Sequence, residues 1–110
     1  MDKNNQGKTT IAPEVIYSIV KLTALGVEGV HSFAKVPLAM DSIFKIRNHD
    51  GIRVDIENGF VYIDLFLNLK NSYNVREVSR NIQAIVSREI FETVGFEVGV
   101  INIHIEDIIY

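Results

Sequence analysis

Three histidines and a group of acidic residues are the side chains in this sequence that could support metal binding or catalysis. His31, His49 and His104 do not stand at zinc-ligand spacing from one another, and there is no cysteine to complete a ligand set. We therefore predict no metal site and no cofactor, with the histidines in loops or on the surface. A pH-sensing role for His104, which shares a predicted strand face with Asn102 and Glu106, is the less favoured interpretation.

Several carboxylates could lie together on one face of a sheet. A pair of carboxylates can provide the acid and base needed for glycoside hydrolysis or proton transfer. A solvated polar face is the favoured interpretation, because the strand pattern already gives Asp64 and Asp55 the cross-strand partners Arg53 and Tyr62. An enzyme that uses Asp55, Asp64 or Glu106 therefore ranks last. The acidic residues concerned are Asp55, Glu57, Asp64, Glu106 and Asp107.

Sequence patterns of common hydrolases and nucleotide-binding enzymes are absent from the chain. There is no G-x-S-x-G, P-loop or G-x-G-x-x-G spacing. The serines within the predicted helices (Ser18, Ser79 and Ser87) have no recognisable base. The sequence therefore predicts a protein that is not an enzyme.

A short glycine motif raises the separate possibility of nucleic-acid binding. Residues 26–29 read Gly-Val-Glu-Gly, the bare G-x-x-G of a KH clamp. Glu28 would repel the phosphates that such a loop must hold, so a helix terminator followed by a turn is the favoured interpretation. The net charge of −3 and the lack of a dense basic block also argue against a nucleic-acid surface. An RNA-binding, KH-like module is kept only as an alternative.

The composition is that of one globular domain. The chain has 110 residues, of which 47% are hydrophobic and 23% charged. We expect a flexible polar arm at 1–10, a single α/β domain at 11–107 and a C-terminal tail at 108–110, which either extends a strand or docks elsewhere. No apolar signal core and no run of about 20 apolar residues is present. A cytoplasmic location is therefore expected.

Two amphipathic helices are predicted, at 13–26 and 75–93. Pro13 suits the first helical position, and apolar side chains recur from Ile16 onward at helical spacing. Asn74 is a good N-cap for the second helix, and Gly95 is suited to the C′ position. A further short helix is expected within 38–46, after Pro37.

A β-hairpin is the clearest local pattern. Apolar residues alternate with polar ones on both sides of Asn58-Gly59, the dipeptide typical of a two-residue hairpin turn. Such a turn places Val54 opposite Ile63 on one face and Arg53 opposite Asp64 on the other. The last strand alternates Ile101, Ile103 and Ile105 with polar residues, and Gly99 is expected to mark a bend or bulge.

These elements predict an α+β fold. The order α-β-β-α-β gives two layers: a small three-stranded mixed sheet and two helices that cover one of its faces. The covered face carries Val54, Ile63 and Ile103. A sheet of this size has edge strands with unpaired backbone groups, so a homo-oligomer is expected as one way of covering those edges.

The opposite face of the sheet is the predicted partner-binding surface. Aromatic side chains mixed with charged ones are typical of protein interfaces. The alternative is that the aromatics reflect β-propensity and are partly covered by residues 30–50. The predicted partner-binding residues are Phe60, Tyr62, Phe66, Arg53 and Asp64.

Seven motifs resemble those of the alkaline-shock-protein family, also called the envelope stress-response family of Gram-positive and related bacteria. Their order and spacing cover roughly residues 7–106. The motifs are GKTTIAPEVI at 7–16, GVEGV at 26–30, GIRV at 51–54, YIDL at 62–65, NVREV at 74–78, GFEV at 95–98 and INIHI at 101–105.

The resemblance implies a cytoplasmic protein with no known enzymatic activity and no established catalytic residues. Some relatives lie near the membrane through an anchoring partner, and the family is associated with envelope stress. Other short members are encoded beside metabolic genes, which suggests that they regulate enzymes. The leading hypothesis is therefore a protein-binding adaptor or scaffold, recruited to the membrane by a partner. The alternatives are an RNA-binding module and a regulator of a metabolic enzyme.

Overall fold

The computed structural model describes residues 10–35, 48–49 and 51–110, with the backbone alone described at 48–49. Over these ranges the chain forms two helices and five strands. Residues 1–9 of the expected arm and the expected helix at 38–46 lie outside the described residues. The elements in chain order are α1 (Pro13–Leu25), β1 (Val30–Phe33), β2 (Asn48–His49), β3 (Ile52–Glu57), β4 (Phe60–Lys70), α2 (Val75–Val94) and β5 (Glu97–Ile109).

Both predicted helices are confirmed, with ends within one residue of those expected. Helix α1 begins with Pro13, whose missing N–H costs nothing at that position, and it ends before Gly26. Helix α2 begins after Asn74, whose Oδ1 accepts a hydrogen bond from the Glu77 N–H at 2.9 Å. It ends at Gly95, which has the left-handed φ of 80° expected for a glycine at C′.

Strands β3 and β4 form the predicted hairpin in the predicted register. Asn58 and Gly59 both have positive φ, 53° and 79°, as a tight two-residue turn requires. Val54 lies opposite Ile63 and Arg53 opposite Asp64. The two-residue turn and the hydrophobic alternation together determine which side chains face the helices.

Strand β5 lies parallel to β4 along the whole length of that strand, as a crossover through α2 requires. The pairing shifts register twice, and the extra residues of β5 are Gly99 and Glu106. The expectation of a bulge at Gly99 is confirmed. Ile108 and Ile109 continue the strand, so they extend β5 beside Leu69 and Lys70.

The prediction of three strands is wrong, because β1 and β2 also join the sheet. Strand β1 pairs antiparallel with the last part of β4, placing Phe33 opposite Leu67, while β2 pairs with β3. These strands are four and two residues long, too short to show an alternating pattern in sequence. The sheet is a mixed one of five strands.

Strands β1 and β3 lie end to end along the same edge of β4, because β5 occupies the other edge. They meet at Phe66, whose N–H donates to the Gly51 carbonyl at 2.8 Å and whose carbonyl accepts from the Ala34 N–H at 2.7 Å. Gly51 has a φ of +85°, and a Cβ there would stand 2.3 Å from the Ala34 carbonyl oxygen and 2.8 Å from the Phe66 carbonyl oxygen. Only glycine fits this junction without displacing backbone.

The two-layer α+β architecture is confirmed, with both helices on one face of the sheet. That face is called the inner face here. Its side chains are almost fully buried against α1 and α2, and full burial of one such aliphatic side chain contributes roughly 1.5–3 kcal/mol. The buried core includes Ile16, Val20, Ile52, Val54, Val61, Ile63, Leu65, Leu67, Leu69, Ile82, Val86 and Ile90. Ile103 is half-buried and packs against it.

A candidate interaction surface on the outer face of the sheet

The outer face of the sheet, opposite the helices, divides into a polar cluster at its centre and an apolar patch near the hairpin turn. The alternation of β4 assigns its even-numbered residues to this face, since the odd-numbered residues Val61 to Leu69 are buried on the inner face. All five predicted partner-binding residues lie on the outer face. Their exposure differs sharply along it.

The polar cluster is built on Asp64, which binds side chains from the strands on both sides of β4. Arg53 Nη2 of β3 donates to Asp64 Oδ2 at 2.5 Å, and both side chains are only 13% exposed. His104 Nε2 of β5 lies 3.1 Å from Asp64 Oδ1. Since a carboxylate accepts only, Nε2 carries the proton in that contact. Asp64 therefore connects three strands, and both of its oxygens are engaged in holding them together.

Phe66 is covered and does not reach solvent. Its exposed fraction is 1%, and the His104 ring stacks on it with centroids 4.4 Å apart and planes 10° apart. The expectation that Phe66 is an exposed contact residue is therefore wrong. The physical reason is that β5 places His104 directly beside Phe66, and its ring stays flat against the phenyl because its Nε2 is held by Asp64.

The apolar patch consists of Phe60, Tyr62 and Val100, which are 45%, 38% and 45% exposed. We call these three residues the outer apolar patch. Val100 is the β5 partner of Tyr62. The surface predicted from the sequence did not include Val100, although its position next to the inward-facing Ile101 places it on the outer face. The Tyr62 ring lies over the backbone of Gly99, where a Cβ would stand 2.6 Å from the ring. Exposed carboxylates of Asp55, Glu57 and Glu97 belong to the neighbouring strand positions.

The acidic residues considered as an alternative catalytic group are distributed over three strands, β3, β4 and β5. Asp107 lies opposite Asn68, four residues along β4 from Asp64, a separation of roughly 13 Å at strand spacing. Asp55 and Glu57 are exposed on β3. Among the residues that the structure describes, no three His, Asp or Glu side chains form a group that could hold a metal ion.

Other polar contacts of the outer face lie where β1 meets β4. Asn68 Nδ2 donates to Ser32 Oγ at 3.1 Å, and His31 Nδ1 lies 2.9 Å from the same oxygen. These contacts attach β1 to the end of β4. His31 is exposed, as expected.

The G-x-x-G segment is explained by packing between the helices. Val27 is buried, and a Cβ on Gly29, which has a φ of +99°, would stand 2.7 Å from the Val78 side chain. Tyr73 Oη donates to Glu28 Oε2 at 3.4 Å. These contacts favour the interpretation of residues 26–29 as a helix end and turn that lets β1 approach α2.

Neither helix within residues 10–35, 48–49 and 51–110 combines the length and apolarity needed to cross a bilayer.

Comparison with known proteins gives a family and two sequence relatives. The model of the alkaline-shock-protein 23 family, described as having a cell envelope-related function, matches residues 1–110. YqhY of Bacillus subtilis (strain 168) is 27% identical over 103 residues, which cover 90% of this chain and 75% of YqhY. YloU of the same organism is 24% identical over 110 residues, covering 96% of this chain and 92% of YloU.

Solved structures of MamM CTD share the fold. A MamM CTD variant superposes with a TM-score of 0.61 at 15% identity and covers 86% of this chain and 96% of its own. MamM-CTD itself gives a TM-score of 0.61 at 14% identity, covering 87% and 99%. At these identities the likeness concerns the fold alone.

Proposed function

This chain belongs to the alkaline-shock-protein 23 family, and we propose that it acts in a cell envelope-related process as a non-enzymatic adaptor that binds another protein. The observation that carries the proposal is the outer apolar patch. Phe60 and Tyr62 place two large, rigid aromatic side chains at solvent on a sheet whose backbone is hydrogen-bonded on both sides. Aromatic residues of this kind supply much of the binding energy at protein interfaces.

The surroundings of the patch support recognition of a protein. Acidic side chains stand beside the patch on β3 and β5, and the interior of an interface is typically apolar with a polar rim. Arg53 and Asp64, predicted as contact residues, lie deeper in the sheet. Their proposed role is therefore to hold β3, β4 and β5 in place beneath the contact surface.

The proposed partner is a membrane-anchored protein, and this chain is proposed to be cytoplasmic and to reach the membrane only through that partner. Support comes from the family description, which relates its function to the cell envelope. A regulator of a metabolic enzyme would use the same patch and differ only in the identity of the partner. One experiment therefore distinguishes the two.

The test is site-specific photo-cross-linking in the native host, with the membrane and non-membrane fractions analysed separately. A photoreactive phenylalanine analogue replaces Phe60 in one variant and Phe91 in the control. Phe91 is a matched control because it is 53% exposed but lies on α2, in the helical layer. We expect position 60, and not position 91, to capture a protein in the membrane fraction.

Binding of the captured partner to purified variants then measures the contribution of the patch. Replacing Phe60 and Tyr62 together by alanine should weaken binding by about tenfold or more, which is about 1.4 kcal/mol. Phe91→Ala should bind like the unchanged protein. Equal capture at positions 60 and 91, or unchanged binding by the double variant, would show that the patch is not the interface. Capture of RNA or of an enzyme outside the membrane fraction would favour the corresponding alternative function.

A further inference from the structure

The outer edge of β5 is a second surface with properties that the outer apolar patch does not explain. Strand β5 is 13 residues long, and among the described residues it pairs with β4 alone. Exposed strand edges are normally protected by lysine, proline or very short length. Strand β5 is long and has no lysine or proline from Glu97 to Ile109. It has bulges at Gly99 and Glu106, which also protect an edge, but the segment between them is regular and carries alternating isoleucines.

Three hydrogen bonds determine which backbone groups of β5 point outward. The Glu97 N–H donates to the Gly59 carbonyl and the Ile109 carbonyl accepts from Asn71, so both residues face the β4 side. Outward and inward groups alternate along a strand, with one extra residue at each bulge. Counting from either end assigns the outward N–H and C=O groups to Ile101, Ile103 and Ile105. The contact of the Ile101 carbonyl supports this assignment, because that carbonyl accepts a hydrogen bond from Gln83 Nε2 of α2, at 3.1 Å, and not from β4.

Side chains cap this edge at two places and leave the segment between them open. Gln83 covers the Ile101 carbonyl, and Asp107 Oδ1 accepts from the Ile108 N–H at 2.8 Å. Between these caps, the outward groups of Ile103 and Ile105 have no strand beside them among the described residues. Unpaired groups of this kind form a template for another strand.

We propose that this edge binds the same edge of a second copy of the chain, as an antiparallel pair of β5 strands centred on Ile103. A two-fold axis at Ile103 places each Ile103 opposite the other and each Ile101 opposite the partner's Ile105. These are the residues whose backbone groups point outward, so they form the hydrogen-bonded pairs of an antiparallel ladder. The Ile101 carbonyl keeps its hydrogen bond from Gln83 and uses its second lone pair to accept the N–H of the partner's Ile105. The two sheets become one continuous sheet.

The side chains of β5 are compatible with this self-pairing on both faces. Isoleucine meets isoleucine on the inner face, and Asn102 lies opposite the partner's His104 on the outer face. The carboxylates of Glu106 and Asp107 face the uncharged Gly99 and Val100 region of the other copy, so like charges do not oppose each other. This self-complementarity is the reason for choosing a second copy, rather than a strand of another protein, as the occupant.

The proposal is independent of the adaptor function, because it concerns the edge of the sheet and not its outer face. The test measures the mass of the purified full chain by sedimentation or light scattering over a range of concentrations. We expect a species of twice the 12.4 kDa chain mass that dissociates on dilution.

The edge variant for this test is Ile105→Pro. Proline is tolerated on an edge strand where the N–H points away from the neighbouring strand, so this change removes an outward donor and spares the pairing with β4. We expect Ile105→Pro to be folded, as judged by circular dichroism, and monomeric. A chain that is monomeric without the substitution, or a folded Ile105→Pro variant that remains dimeric, would overturn the proposal.

A cross-linking measurement keeps the test decisive if Ile105→Pro fails to fold. The chain has no cysteine, so Asn102→Cys introduces a single exposed thiol next to the proposed axis. A short thiol-specific cross-linker should join two copies of Asn102→Cys and none of Arg76→Cys, since position 76 is also exposed but lies on α2. Equal cross-linking of the two variants, or cross-linking only to another protein in the host, would contradict the proposed pairing.

Discussion

Asp64 is the residue on which the outer face of the sheet depends most, because a single carboxylate satisfies donors from two neighbouring strands. Its removal would leave the nearly buried Arg53 guanidinium without this counter-charge and would release the His104 ring that covers Phe66. Loss of a partner for a buried charged group costs more than the bond itself contributes.

We therefore predict that Asp64→Ala lowers the free energy of unfolding by about 1.5–3 kcal/mol. Asp55→Ala is the matched control, because Asp55 is an exposed carboxylate on the same face of the sheet. Its loss should change stability by no more than about 0.5 kcal/mol. Urea unfolding followed by circular dichroism measures both. Equal losses in the two variants would mean that the Asp64 contacts add nothing beyond surface charge.

Part of this polar cluster could be predicted from the sequence, and part could not. The pairing of Arg53 with Asp64 follows from the two-residue turn, since that turn determines the register of β3 and β4. The stack of His104 on Phe66 depends on the register of a parallel pair joined through a 20-residue helix, with a bulge before it. No local pattern determines that register, so the burial of Phe66 could not be predicted.

The two helices differ in how their first turns are satisfied. Asn74 caps α2 with its side chain, whereas Ala12, at the corresponding position of α1, makes no side-chain hydrogen bond. Ala12 is exposed and has the extended backbone conformation of an N-cap. Helix α1 therefore has no side-chain cap at its N-terminus, where a side-chain oxygen could accept a hydrogen bond from a backbone N–H.

We predict opposite effects of substitutions at these two positions. Asn74→Ala should lower the free energy of unfolding by about 1 kcal/mol, and Ala12→Ser should raise it by roughly 0.5–1 kcal/mol. Thermal and urea unfolding of the two variants test the difference. If Ala12→Ser is neutral while Asn74→Ala destabilises, capping of α1 does not limit the stability of the fold.

At the level of elements, the helices and strands that could be predicted from the sequence are those that are long or have a strong hydrophobic pattern. A repeated hydrophobic pattern and clear residues at the ends mark four elements: α1, α2, β3 and β4. Strands β1 and β2 exist because β4 and β3 offer them unpaired edges, and this is a property of the assembled sheet. Their own residues show no signal that distinguishes them from a loop.

The whole sheet is assembled around one junction, at which β1 and β3 meet against the middle of β4. Gly51 lies at that junction, and backbone oxygens of two other segments stand close to the position that a Cβ would occupy. Gly51 also has a positive φ. A larger residue at this position is therefore opposed by two separate effects, crowding against the backbone and strain in its own backbone conformation. A comparison with Gly59 can separate them, since Gly59 has a similar φ of +79° but no atom within 4 Å of the position that a Cβ would occupy.

We predict that Gly51→Ala destabilises the fold by about 2–5 kcal/mol, combining roughly 1–2 kcal/mol of backbone strain with roughly 1–3 kcal/mol of crowding. Gly59→Ala should show the strain alone, about 1–2 kcal/mol. The difference between the two variants in equilibrium unfolding measures the crowding at the junction. Equal losses would indicate that β1 and β3 can separate without cost.

The end-to-end arrangement of β1 and β3 has a consequence for the order in which the chain folds. Strand β3 reaches β4 through a two-residue turn, and hairpins of this kind form within about 1–10 μs. Strand β5 follows α2 in the chain, so it can pair with β4 only across that helix. Strand β1 reaches β4 through contacts such as that of Ser32 with Asn68, which are 36 residues apart. Because loop closure over longer separations is slower, the first half of the β4 edge is occupied well before the second. We expect strand β1 to dock beside an existing hairpin, so that the first strand of the chain joins the sheet after β3 and β4 have paired.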